Sequence, residues 1–167
     1  MDKHQAYVND KTMYAYGKYL RGEAFEKARA IILKDNQVVF IKDLSNGNIT
    51  VPGGGVDEGE TLVEAVKREA LEETHMIVEP IMQVGEESYN VDMQIGDVDF
   101  VSTRVAYAYL CEFVKQEKGK NGLEGEYAGK VEVYFDDVDK LKDCHISEEA
   151  IEKVKQYILE KANSEKE

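Results

Sequence analysis

The stretch that decides the fold is Gly54–Met76, which reads GGVDEGETLVEAVKREALEETHM. It begins as a glycine-rich turn, since Pro52 and Gly53 come just before it and Gly59 interrupts it before the helical pattern starts. Glycines permit positive φ angles and close approach of the backbone to other groups. The rest of the stretch is rich in glutamate and helix-forming residues. The pattern predicts a tight loop that leads directly into an acidic helix.

The capping signals and the apolar spacing predict a helix over Leu62–Thr74. Thr61 is a suitable N-cap, and Glu64 stands three residues later, as in a capping box. The apolar residues recur at helical spacing: Leu62, Ala65, Val66 and Ala70.

Three glutamates of this helix share one face, because Glu69, Glu72 and Glu73 are related by i,i+3 and i,i+4. At about 100° per residue this face nearly coincides with the apolar one, so the carboxylates continue the inward stripe. A solvated acidic face is the ordinary interpretation of such a cluster. A divalent cation is the alternative, since it offsets the repulsion and lost hydration of three inward charges. Carboxylate oxygens suit Mg²⁺, Mn²⁺ or Ca²⁺.

The glycine loop partly matches a phosphate-binding loop. Gly54 and Gly59 have the spacing of the P-loop glycines, but Glu60 stands where that motif has lysine. A loop that cradles phosphate directly would not place a negative charge there. Phosphate bridged by a metal ion is compatible with Glu60, because Mg²⁺ commonly sits between carboxylates and phosphate oxygens.

The spacing of Gly54, Glu60, Arg68-Glu69-Ala70 and Glu72-Glu73 resembles the box of the Nudix hydrolase family (MutT-like), over all 23 positions of the stretch. Ala70 is smaller than the branched aliphatic residue usual there. His75 replaces the usual final glycine, which would take a left-handed conformation at the helix end that His tolerates less well. We expect His75 to cap the helix rather than to act in catalysis.

The resemblance implies an enzyme that hydrolyses a pyrophosphate bond between a nucleoside diphosphate and another group, with Mg²⁺ or Mn²⁺ as cofactor. The small-molecule nucleotide would be its substrate. On the family pattern, Glu69, Glu72 and Glu73 would ligate the metals, and the backbone carbonyl of Gly53 or Gly54 would add a ligand.

The remaining box residues are expected to have structural roles. Arg68 cannot act as a base, so we expect it to pair with Glu60 or Glu69 and to hold the loop against the helix. Glu60 is expected to have a structural role rather than to bind metal, and Gly54 is expected to shape the loop.

The resemblance leaves the general base open between a box glutamate, Glu69 or Glu72, and a glutamate of a later loop. Glu126 is the candidate in the polar, glycine-rich loop Lys115–Gly129, with Glu124 next. Glu86 and Glu87 are weaker candidates. Loop glutamates are commonly only solvated, and that interpretation also applies to Glu126.

Substrate markers that some family members show after the box are absent. A proline about 15 residues on is associated with ADP-ribose cleavage, and Val91 and Asp92 stand there. A tyrosine 16 to 18 residues on is associated with dinucleoside polyphosphates, and positions 92–94 hold Asp, Met and Gln. These absences slightly favour a nucleoside triphosphate.

Three other functions are considered. A non-catalytic nucleotide sensor with this fold is the main alternative, although it has little need of all three glutamates. An acidic interaction protein with a solvated helix is the second. An isoprenoid diphosphate isomerase ranks low, because the chain has no Trp and no well-placed catalytic Cys.

Composition is consistent with one domain over residues 1–167, of which 43% are apolar. The net charge of −13 disfavours binding to nucleic acid or to an anionic membrane. No apolar signal core and no stretch of about 20 apolar residues is present, so we expect a cytoplasmic protein. Cys111 and Cys144 are expected to be buried free thiols.

The order of strand and helix patterns predicts an α+β fold, which the resemblance refines to an α/β/α sandwich around a mixed sheet. The strand candidates are Phe25–Leu33, Val38–Ile41, Ile49–Val51, Ile77–Val84, Glu86–Asn90, Asp97–Val114 and Val131–Phe135. Residues 1–23 form a tyrosine-rich N-terminal segment. We expect an irregular arm or edge strand there; the alternatives are a homodimer contact or an arm that stacks on a nucleobase.

Overall fold

A computed structural model of the chain describes residues 10–117 and 130–165. The elements follow in this order: α1 (Asp10–Leu20), β1 (Phe25–Lys34), β2 (Gln37–Asp43), β3 (Ile49–Thr50), β4 (Gly53–Gly55), α2 (Leu62–Thr74), β5 (Met76–Ile95), β6 (Val98–Gln116), β7 (Val131–Asp136), a 3₁₀ helix (Val138–Cys144) and α3 (Glu148–Glu165).

Within the described residues, seven strands form one mixed sheet in the order β3-β2-β1-β6-β5, with β4 paired to β1 and β7 to β2. β1 runs parallel to β6 from the pair Phe25–Arg104 to the pair Leu33–Glu112. The other pairings are antiparallel. β6 lies between β1 and β5 and is therefore a central strand of the sheet.

The alternating residues of β1 face two separate cores, as expected for a strand covered on both sides. Ile31 and Leu33 pack in the core that includes residues of α3 and the 3₁₀ helix. Ala30 and Ile32 pack in the core that includes residues of α2. The sheet is therefore covered by helices on both faces, and the predicted α+β sandwich is confirmed.

The N-terminal segment differs from its prediction as an irregular arm or edge strand, since Asp10–Leu20 is helical. Tertiary contacts explain the helix. Ala15 is buried with Phe25 and Phe100, and Tyr16 packs on the Phe100 ring at 5.1 Å between centroids. The positions of these aromatic residues are determined by the surface that they contact. Their spacing in the sequence therefore shows no clear helical period.

β5 and β6 form one long hairpin, whereas the sequence predicts two separate strands before β6. Pro80 and Gly85 interrupt the strand pattern, but the backbone absorbs them by register shifts at Pro80/Met82 and Gln83/Gly85. β5 is an edge strand of the sheet, a position in which a proline such as Pro80 is tolerated.

Cys111 and Cys144 are free and buried in the two opposite cores, as predicted. On α3, Leu159 is 60% exposed. Tyr157 packs against the core instead, and its hydroxyl donates a hydrogen bond to Glu112. No helix in residues 10–117 and 130–165 combines the length and the apolar character that a membrane crossing requires.

Candidate active site

Both ends of α2 are defined by local interactions that the sequence predicts. At the start, the Glu64 N–H donates to Thr61 Oγ1 at 3.1 Å, and the Thr61 hydroxyl donates to the Glu64 carboxylate at 3.0 Å. At the end, His75 has a left-handed φ of 59° and its N–H donates to the Leu71 carbonyl at 3.0 Å. His75 therefore caps the helix, as expected. These ends set which side chains of α2 face the sheet.

Gly54 lies where the glycine strand β4 comes closest to α2. It pairs with Ala28 of β1, and a Cβ atom at Gly54 would lie 2.5 Å from Glu69 Oε1. Any side chain at this position would therefore push the Glu69 carboxylate away. The requirement for glycine here is steric, and it joins the loop and the acidic helix into one site.

Arg68 holds the loop and the helix together. Its Nε and Nη2 donate to the two carboxylate oxygens of Glu60 at 2.7 and 3.0 Å, which is a bidentate pair. Nη2 also donates to the Gly55 carbonyl at 2.9 Å, and Nη1 donates to Glu69 at 2.9 Å and Glu72 at 3.3 Å. The Arg68 guanidinium holds the pKa of Glu60 below its usual range. This arrangement matches the structural role expected for Arg68 and Glu60.

Three of the glutamates of α2, Glu69, Glu72 and Glu73, line one cavity of about 460 Å³ together with β4. Glu69 is buried, with 8% of its surface exposed, and Glu73 is partly buried. The Glu72 side chain is 56% exposed, so it stands at the rim of the cavity. Contrary to the sequence prediction, Glu72 does not continue the inward stripe. The face of the helix therefore runs from the interior at Glu69 to solvent at Glu72.

Glu73 carries the strongest electrostatic perturbation among these glutamates. Burial raises its pKa from 4.5 to about 7, and the nearby charges of Glu69 and Glu72 act in the same direction. A hydrogen bond from the Gly53 N–H to Glu73 Oε2 at 3.0 Å and the charge of Lys27 act in the opposite direction. Burial is the largest of these effects on the pKa of Glu73. Binding of a cation beside the ionised Glu73 carboxylate would therefore be strongly favoured.

The donor chemistry of the site fits a divalent cation. In residues 10–117 and 130–165, no three His, Cys, Asp or Glu side chains are already grouped as a metal cluster. Glu69 and Glu72, however, contact the same Arg68 nitrogen, and Glu73 lines the same cavity. Hard carboxylate oxygens without a soft ligand suit Mg²⁺ or Mn²⁺. Gly54 leaves room for the Glu69 carboxylate against the loop backbone.

Of the other candidates for the general base, Glu124 and Glu126 lie outside the described part of the chain. Glu86 and Glu87 line a separate, small cavity with Arg29 and His145.

The cavity also has an aromatic side, which the sequence alone does not place beside the glutamates. Tyr14 of α1 and Phe25 of β1 line it, with ring centroids 5.7 Å apart and planes at 77°. Phe25 was interpreted only as the start of a strand. The tyrosine-rich composition of residues 1–23 was the one signal that pointed to Tyr14.

Comparison with known sequences supports the resemblance of Gly54–Met76 to the Nudix box. The sequence profile of the NUDIX domain matches residues 24–154. A curated ADP-ribose pyrophosphatase from Methanocaldococcus jannaschii is 50% identical over 50 residues, which are 28% of this chain and 30% of that protein. The match thus spans less than a third of the relative's length.

Solved structures show the same fold. A NUDIX hydrolase from Nitrosomonas europaea superimposes with a TM-score of 0.56 and 16% identity, over 82% of this chain and 90% of that one. A UDP-X diphosphatase superimposes with a TM-score of 0.57 and 16% identity, over 92% of this chain and 74% of that one. At such identities the likeness concerns the fold alone.

Proposed function

Because the chain belongs to the Nudix family, whose members generally use divalent metal ions, we propose that it hydrolyses a pyrophosphate bond of a nucleotide. The substrate class is a nucleoside diphosphate linked to another group, and the cofactor is Mg²⁺ or Mn²⁺.

One observation carries this proposal: Glu69, Glu72 and Glu73 line a single cavity beside a glycine strand that Arg68 fixes in place. A solvated acidic face would not require a buried Glu69 or a Glu73 with a raised pKa. Both are expected of groups that hold a cation.

The residues of the site would have two roles, binding of the cation and positioning of the glycine loop. Glu69, Glu72 and Glu73 would hold the cation, with a carbonyl of Gly53 or Gly54 as a further ligand. The bound Mg²⁺ would neutralise the diphosphate and lower the pKa of a water molecule. Arg68 keeps its charge and, through Glu60 and the Gly55 carbonyl, keeps the loop against the helix.

A carboxylate must accept the proton of the attacking water. We propose that a box glutamate, Glu69 or Glu72, or the loop glutamate Glu126 does so. Glu72 is far more exposed than Glu69 and is therefore the better placed of the two to exchange its proton with solvent.

Two substrates are proposed within this class. The absence of downstream markers in the sequence favours a nucleoside triphosphate. The local identity to an ADP-ribose pyrophosphatase supports ADP-ribose as the second candidate. Both contain a nucleoside and a pyrophosphate bond, so the same residues would hydrolyse either substrate by the same reaction.

The test is an activity screen with Mg²⁺ and Mn²⁺ over nucleoside triphosphates, nucleoside diphosphate sugars, ADP-ribose and dinucleoside polyphosphates, scored by product identity. Glu72→Gln and Glu73→Gln should each lower kcat by about 100-fold or more, because each removes a charged ligand or base. Glu152→Gln is the matched control, since Glu152 is exposed on α3 and only weakly paired with Lys155 at 3.9 Å.

Two outcomes would reject hydrolysis. If wild-type protein binds Mg²⁺ and a nucleotide but releases no product, the chain is a sensor. If calorimetry detects no divalent cation binding at millimolar metal, the acidic face is only solvated.

A further inference from the structure

The cavity has two chemically different sides that meet at the glycine strand. One side carries the three glutamates of α2, and the other carries the rings of Tyr14 and Phe25. The two sides are adjacent, because a Cβ atom at Gly55 would lie 2.9 Å from Phe25 Cζ. A ligand bound at the carboxylates therefore extends directly towards the rings.

The two rings are fixed in an edge-to-face corner. Phe25 is buried, and the Arg104 guanidinium lies over its ring at 5.0 Å from the centroid. Tyr14 is held by α1, whose neighbouring residue Ala15 is only 1% exposed. Because the ring planes differ by 77°, a flat group can lie along one ring and meet the other at its edge.

The corner suits the organic part of a ligand rather than its phosphates. Phosphate beside the glutamates needs a bridging cation. The rings offer apolar surface and, through the Tyr14 hydroxyl, one polar group. The Lys18 ammonium lies over the Tyr14 ring at 5.4 Å from its centroid, but Lys18 does not line this cavity. An aromatic heterocycle with polar edges matches this combination.

α1 completes the corner from outside the part of the chain that the family profile covers. The profile match begins at residue 24, whereas Tyr14 lies in Asp10–Leu20. Phe25 alone would leave the aromatic side with one ring. Tyr14 is thus a contribution of this chain's own N-terminal helix to a cavity built by the shared domain.

We propose that Tyr14 and Phe25 bind the nucleobase of the nucleotide, with Tyr14 as a specificity-determining residue. The proposal rests on the proposed function in assuming that the cavity takes a nucleotide, but it concerns binding and not hydrolysis. In this proposal α1 stacks on the nucleobase, which was one of the alternatives for the N-terminal segment.

The test compares two non-hydrolysable ligands by calorimetry in the presence of Mg²⁺. α,β-Methylene-ADP carries the base, and methylenediphosphonate carries only the two phosphorus centres. Tyr14→Ala should raise the Kd of α,β-methylene-ADP by about 5- to 100-fold, the range for loss of one base–aromatic stack. The Kd of methylenediphosphonate should stay unchanged. Tyr14→Phe keeps the ring and loses only the hydroxyl, so it should bind α,β-methylene-ADP more tightly than Tyr14→Ala does.

Tyr19→Ala is the structural control. Tyr19 lies on the same helix and packs on Phe100 at 5.4 Å, but it does not line the cavity. Equal weakening in Tyr19→Ala would show that docking of α1 alone is responsible, and it would overturn the proposal. So would an unchanged Kd in Tyr14→Ala, equal weakening of both ligands, or failure of wild-type protein to bind α,β-methylene-ADP. Base-dependent binding without turnover would uphold this proposal while rejecting hydrolysis.

Discussion

Replacing Glu73 with Gln should stabilise the metal-free protein, because the variant removes a buried charge. Raising the pKa of Glu73 from 4.5 to about 7 corresponds to about 3 kcal/mol in unfolding free energy once the group is fully ionised. Since Glu73 keeps some contact with solvent, we expect about 2 kcal/mol. The Gln side chain retains an oxygen that can accept the 3.0 Å hydrogen bond from Gly53.

The stabilisation should depend on pH in a defined direction. The folded protein holds the Glu73 proton more tightly than the unfolded chain, so the unfolding free energy of wild type falls as pH rises from about 4.5 to about 7. At pH 5 wild-type Glu73 is mostly protonated, and Glu73→Gln should match wild type. At pH 8 Glu73 is mostly ionised, and the variant should be more stable.

The assay is thermal unfolding in EDTA at pH 5 and pH 8. For a chain of this size, about 2 kcal/mol corresponds to a Tm increase of about 4–8 °C at pH 8. Adding Mg²⁺ should raise the Tm of wild type through binding to the folded state, and Glu73→Gln should lose most of that gain.

Glu72→Gln is the matched comparison, because Glu72 is exposed. It should also lose the Mg²⁺ response, but it should not gain stability in EDTA. An equal Tm difference between Glu73→Gln and wild type at pH 5 and pH 8 would refute the reasoning, since the effect would then not come from the buried charge.

Three other substitutions test the supports of the site. Gly54→Ala should weaken Mg²⁺ binding by about 10- to 100-fold in calorimetry, because its Cβ would displace the Glu69 carboxylate; unchanged affinity would contradict the steric argument. Arg68→Lys should lower kcat by about 10- to 100-fold with an unchanged circular dichroism spectrum, because lysine cannot make the bidentate pair with Glu60. Full activity would show that this bidentate pair is dispensable. His75→Ala should be less stable than His75→Gly by about 1 kcal/mol in urea unfolding, since both lose the ring but only Ala retains the cost of a left-handed φ; equal stabilities would show that the cap is not strained.

The parts of the fold that sequence reasoning located correctly are those set by local interactions. The box helix begins after Thr61 and ends before His75, because a capping box and a left-handed cap act within a few residues. Strands β1 and β2 are separated by a turn in which Asp35 and Asn36 have positive φ, as the turn residues indicate.

The missed parts depend on contacts between residues distant in sequence. α1 is stabilised against Phe100, and β5 continues through Pro80 because β6 is a long partner strand. Tyr14 shares a cavity with the glutamates only because α1 packs against β5 and β6. The exposure of Glu72 also depends on tertiary structure, since helical periodicity places it close to Glu69.

The charge distribution of α2 argues that its glutamates are present for function rather than for helix stability. The C-terminal end of a helix carries a partial negative charge, so acidic residues there are unfavourable and basic residues favourable. α2 has no basic residue in its last turn, and Glu72 and Glu73 stand there instead. Burial of Glu73 adds to this cost, as do the nearby charges of Glu69 and Glu72, and together they raise the pKa of Glu73. A locally unfavourable arrangement that the fold retains is typical of a functional site, and a bound cation would offset both effects.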